Sequence, residues 1–103
     1  MPVLICRRVR FFSVGDELSF SSWLKRVKAI RRWEGKDDCI LLHVTTRVSD
    51  KSLREFIALF LRYDIDLTLL SQFMSSQNEV WFGNPDMIWH QRVFCAGRKG
   101  SVR

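Results

Sequence analysis

Apolar positions recur along this chain with two different periods, and the changes of period divide it into elements. Over residues 3–12, Val3, Ile5, Val9 and Phe11 fall on one side of an extended segment with Arg7 interrupting, and Leu4, Cys6, Arg8 and Arg10 fall on the other. Alternation among β-branched and aromatic residues predicts a strand, buried at its start and exposed toward its end. Gly15 and Asp16 predict the turn that follows. The period then lengthens: Phe20, Trp23, Leu24, Val27 and Ile30 recur at spacings of three and four. This predicts a helix over residues 21–33, with Ser19 or Ser21 as its N-cap and Gly35 as its stop. Residues 39–46, CILLHVTT, form a continuous apolar run, the pattern of a buried central strand. Strand, helix and strand in this order have the length of a βαβ crossover, so a parallel, right-handed pairing is expected.

The second half reads as helical. Ser49 caps a helix in which Leu53, Phe56, Ile57 and Phe60 mark one face and Lys51, Arg54, Glu55 and Arg62 the other. Leu59, Leu61 and Tyr63 widen the apolar arc, which predicts a helix packed on more than one side. Asp66 caps a short helix through Leu67, Leu70, Phe73 and Met74, ended by SSQN. The segment EVWF, residues 79–82, suits either a third strand or the end of a helix. Asn84 and Pro85 open a last helix carrying Met87, Ile88, Gln91, Val93 and Phe94, which Gly97 ends. The expected fold is a helix-dominated α/β (α+β) domain in the order β-α-β-α-α-α. Its sheet has two strands, or three if residues 79–82 join it. Residues 1–96 form the single domain, and residues 97–103 read as a basic disordered tail.

Composition narrows the class. A chain of 103 residues, 47% hydrophobic and 27% charged, fits one globular domain, large enough to fold without metal or disulfide support. Its apolar runs fall short of the roughly 18–20 residues that cross a bilayer. Charges follow the first apolar run instead of preceding it, the reverse of a secretory signal. A cytoplasmic protein with no membrane partner is therefore expected. Cys6, Cys39 and Cys95 are scattered among apolar neighbours and read as reduced core thiols; a reactive thiol at Cys95, near Arg98 and Lys99, is the alternative.

The net charge of +6 is unevenly spread. Residues 1–33 carry eight Lys or Arg against two acids, residues 34–91 five against nine, and residues 92–103 four against none. On a helix, Lys25, Lys28 and Arg32 project within about a sixth of a turn of one another, a basic edge suited to phosphates or to an acidic protein. Few polar base readers accompany them, so sequence-specific DNA readout is not indicated. Phe11 and Phe12, the only candidates for a stacking platform, read as core. Zinc would need convergent Cys and His ligands, whereas His43 and His90 stand singly; His43 reads as a core histidine bonded to backbone, and His90 as partly exposed. No nucleophile motif or glycine-rich loop is present, so neither an enzyme nor a cofactor is expected. Trp23 reads as buried, and Trp33, Trp81 and Trp89 as half-exposed. The candidates for partner binding are Lys25, Lys28, Arg31, Arg32 and Trp33, with the acids Glu34, Asp37 and Asp38 beside them.

Residues 52–94, which include SLREFIALFLRYDIDLTLLSQF and WFGNPDMIWHQRVF, resemble a group of short bacterial proteins ending in a Trp-His-x-x-Val-Phe block. Here that block is Trp89, His90, Val93 and Phe94, and RVKAIRRWEGKDDCILLHV is a weaker echo. Some of the group are similar to immunity proteins encoded beside polymorphic or contact-dependent toxins. The resemblance implies a non-catalytic protein whose partner is a cognate toxin, and it transfers no active site. Members of the group stop soon after Val-Phe, whereas this chain continues through CAGRKGSVR. Inhibitors of nucleases are commonly acidic, so a basic chain points to another kind of toxin, or to Glu34, Asp37 and Asp38 as the contact. The alternative is a basic nucleic-acid-binding accessory protein.

Overall fold

A computed structural model describes residues 2–95; the expected tail at 97–103 and the Arg98 and Lys99 side chains lie outside the described residues. Strand β1 (Val3–Arg7) is followed by helix α1 (Val14–Arg26), strands β2 (Ile30–Lys36) and β3 (Cys39–Val44), and helix α2 (Asp50–Arg62). A 3₁₀ helix (Leu67–Phe73), a single helical turn α3 (Glu79–Phe82) and a π-helical turn (Gln91–Cys95) complete the order. The class is α+β, with a three-stranded sheet in the order β1-β3-β2.

The first helix starts at Val14, well before the expected Ser21, because Ser13 is its cap. Ser13 is extended at φ −163°, and its Oγ accepts a hydrogen bond from the Asp16 amide at 3.1 Å. Asp16 and Glu17 in the first turn, and Lys25 and Arg26 in the last, oppose the helix dipole. Gly15 and Asp16 therefore open a helix instead of forming a turn. At Val27 the backbone becomes extended, so residues 30–33 leave the expected helix and begin β2 (Ile30–Lys36).

Both pairings of β3 are antiparallel, which replaces the expected parallel crossover. The chain makes a hairpin instead: Lys36 pairs with Cys39, leaving a two-residue turn at Asp37 and Asp38. Asp37 has φ 55°, a left-handed conformation that aspartate tolerates better than most residues. Gly35 lies inside β2 and ends no helix. The third strand is thus Ile30–Lys36, and Glu79–Phe82 is helical. Residues 8–12, read as the outer half of the first strand, leave the sheet at Arg8, also at φ 55°.

Burial alternates across the sheet. Leu4, Cys6, Leu42 and Val44 are buried beneath the helices. The opposite face sets Val3, His43 and Arg32 in one row, Ile5, Leu41 and Glu34 in the next, and Arg7, Cys39 and Lys36 in a third. The core gathers Phe20 and Leu24 of α1 with Leu53, Phe56, Ile57, Leu59 and Phe60 of α2. Each such side chain contributes roughly 1.5–3 kcal/mol when fully buried.

Helix α2 matches its expected cap and faces: the Ser49 Oγ accepts from the Ser52 amide at 3.1 Å, and Leu59 and Tyr63 are buried as the wide apolar arc requires. Asp66 caps the 3₁₀ helix through the Thr68 amide at 3.0 Å. The expected helix after Pro85 is reduced to turns and the π-helical Gln91–Cys95. Buried Asn78 closes this region, accepting from the Ser75 amide and donating to the Phe73 carbonyl, both at 2.9 Å. A Cβ at Gly83 would lie 2.9 Å from the Glu79 carbonyl oxygen and 3.1 Å from the Met74 side chain; glycine is what lets α3 end there.

Candidate partner-binding site

The turn from α1 into β2 disperses the residues expected on one helical edge. Lys25 is exposed in the last turn of α1, Lys28 lies in the following turn, and Arg31 and Arg32 are exposed on β2. Lys25, Lys28 and Arg32 therefore share no helix face. Glu34 and Arg32 sit on the outer sheet face, 3.7 Å apart, with the His43 Nε2 3.1 Å from Glu34. His43 thus pairs with a carboxylate, not with backbone as the sequence suggested. That hydrogen bond first, and then Arg32, hold the Glu34 carboxyl below its ordinary range.

Trp33, Asp37 and Asp38 do come together. With Phe11, Phe20 and Ile40 they line a groove of about 650 Å³ between the hairpin and α1. Trp33 is half-buried and reaches the core side, opposite Leu42. Nothing lies within 4 Å of a Cβ built on Gly35, which leaves that end of the groove open.

The segment after β1 contributes Arg8 and Arg10 to this groove and lines a second cleft as well. Arg8, Arg10 and Phe12 are exposed, whereas Val9 and Phe11 are half-buried and pack on the core. Phe11 approaches Phe20 at 5.2 Å and Tyr63 at 6.1 Å, so aromatic packing fixes which side of the segment faces out. Arg7, Arg8 and Arg10 then meet Arg62 and Tyr63, at the end of α2, around a cleft of about 530 Å³. Among the described residues none of these four arginines forms a salt bridge. The two carboxylates in the cleft are otherwise engaged: Asp64 accepts from Arg92 at 3.0 Å, and Asp16 accepts from the Phe12 amide at 3.1 Å. Tyr63 is buried at the cleft, and its phenol is pushed up by burial and then by Asp16. Arg92 brings part of the C-terminal basic segment to the basic N-terminal region.

Beside the cleft, Phe12 is 88% exposed, Val14 73% and Leu18 65%. Phe12 is not core, contrary to the sequence reading. Val14 and Leu18 are one helical turn apart on the solvent side of α1, followed on that side by Ser22 and Arg26, whose Nη2 donates to the Ser22 Oγ at 3.3 Å. A smaller depression of about 430 Å³, lined by Leu18, Trp23, Arg26, Arg62 and Tyr63, joins patch and cleft. Trp23 is half-buried here, not fully, and its Nε1 donates to Glu55 at 2.8 Å. The sequence carried one signal of this site: alternation continues from Arg8 to Phe12, with charges on the side that the core does not use.

Among the described residues, no helix is long and apolar enough to cross a membrane, and no three His, Cys, Asp or Glu side chains are grouped to hold a metal ion. No protein-family model, curated protein or solved structure matches the chain.

Proposed function

We propose that this chain is a non-catalytic protein-binding protein, of the immunity type that covers and neutralises a cognate bacterial toxin. The observation that carries the binding reading is the surface that residues 7–18 form with Arg62: four arginines that make no salt bridge among the described residues, beside three exposed apolar side chains. Arginine and aromatic residues dominate interface hot spots, because a planar guanidinium and a ring bury large areas at little conformational cost. Positive charge also speeds encounter with an acidic partner. The toxin comes from the resemblance of residues 52–94 to immunity-like bacterial proteins. Co-expression with the product of the adjacent gene tests the proposal. A stoichiometric complex that relieves that product's toxicity is expected; a neighbour that is neither toxic nor bound would reject it.

A second reading, a nucleic-acid-binding accessory protein, draws on the same guanidiniums and on exposed Phe12 as a stacking ring. Val14 and Leu18 favour the protein partner, since phosphate contacts make no use of an aliphatic patch.

A further inference from the structure

We propose that the arginine cleft is a carboxylate-recognition subsite, occupied by an acidic segment of the partner that also sets an apolar side chain against Phe12, Val14 and Leu18. The inference rests on the protein-binding reading and names the chemistry of the contact. The cleft carries more positive than negative charge: four arginines face two carboxylates, of which Asp64 is paired with Arg92 at 3.0 Å and Asp16 accepts from the Phe12 amide at 3.1 Å while keeping its charge. Arg8 and Arg10 also line the neighbouring groove with Glu17, Asp37 and Asp38. Neither carboxylate is paired with Arg7, Arg8, Arg10 or Arg62. The direction of the arginine segment is fixed on both sides. Arg8 turns out of the sheet at φ 55° while its amide donates to the Asp38 carbonyl at 2.9 Å, and Phe11 is held against Phe20 at 5.2 Å. Guanidinium forks match carboxylates in a two-point geometry, and an incoming anion relieves the repulsion among like charges.

Charge complementarity also selects the occupant. A second copy of this chain carries +6, and its residues 92–103 hold four of its cations and no acid. Net repulsion disfavours both as occupants. A nucleic acid would fit the arginines and leave Val14 and Leu18 in water. An acidic segment with an aliphatic residue uses both halves of the surface.

The test is fluorescence anisotropy on the full chain with two labelled probes, a peptide of alternating Glu and Leu and an oligothymidylate. The peptide is expected to bind, to weaken with salt, and to lose on the order of ten-fold in affinity in an Arg8→Asn, Arg10→Gln variant. Asparagine suits the left-handed conformation at Arg8, so this variant is expected to keep the native melting temperature. Arg62→Gln, at the end of α2, supplies an independent variant if the first does not fold. Lys25→Gln with Lys28→Gln is expected to leave peptide binding unchanged. Absent peptide binding, binding indifferent to both cleft variants, or an oligothymidylate that binds more tightly with the same dependence on the cleft would each overturn the proposal. A co-purifying partner retained by the cleft variants would sink the subsite and leave the protein-binding reading standing. Failure of the native chain to retain any partner would sink that reading itself.

Discussion

Two tryptophans in the C-terminal third carry opposite hydrogen-bonding states. The Trp89 Nε1 donates to the Phe82 carbonyl at 3.1 Å, whereas the Trp81 Nε1 is buried with no partner among the described residues, beneath the Arg54 guanidinium 4.0 Å from its ring centroid. Replacing Trp89 with Phe is expected to cost about 0.5–1.5 kcal/mol in chemical denaturation, because the Phe82 carbonyl loses its donor. The same change at Trp81 removes an unsatisfied donor and keeps the ring under Arg54, so it is expected to be neutral or stabilising. Cys6 offers a second residue-scale test. Burial first, and then Cys39 and Asp66, push its thiol up to about 12, so a neutral-pH alkylating reagent is expected to label Cys6 only after unfolding. Glu34 supplies a pH test with a definite sign. Its folded carboxyl titrates below the ordinary 4.5, so its contribution to stability is present above that value and is lost as pH falls through the lower folded one. The gap in melting temperature between the native chain and Glu34→Gln is expected to hold at neutral pH and close on acidification.

At the scale of elements, caps decide more than periodicity does. Ser13→Ala is expected to cost about 1 kcal/mol by removing the acceptor for the Asp16 amide, whereas Ser21→Ala, at the expected but incorrect cap, removes no cap. Gly83→Ala is expected to cost about 1–3 kcal/mol, since its Cβ meets a backbone carbonyl. Helix α2 and the Asp66 cap were legible because a broad amphipathic face and a local capping side chain need no distant partner. The hairpin was not legible, and its irregularity explains why. A bulge between Ile30 and Arg32 makes Ile30 face Val44 and Trp33 face Leu42, both toward the core. Inward residues three apart mimic the spacing of a helix, so KAIRRW fits either period. Pairing with β3 decides between them, and no local window contains that information.

Across the whole molecule, charge placement governs what can be recognised. The arginine cluster joins β1, its exit segment and the end of α2, positions far apart in sequence that only the fold brings together. The sequence reading places Phe12 in the core and Arg8 on an exposed strand end, and neither their role nor their junction with Arg62 is legible from the chain. The expected edge of Lys25, Lys28 and Arg32 failed for the same reason in reverse, because a helix assumed too long grouped residues that the fold separates. The sheet also orders events in time. Strands β2 and β3 meet across a two-residue turn, whereas Val3 must find His43, so closing the second pairing costs more chain entropy. The hairpin can therefore form early, with one edge of β3 bare until the N-terminal strand arrives. Mutations at Trp33 and Leu42 are then expected to slow folding, and those at Leu4 mainly to speed unfolding. The arginine segment would take its shape in that last step, making recognition a property of the finished sheet alone.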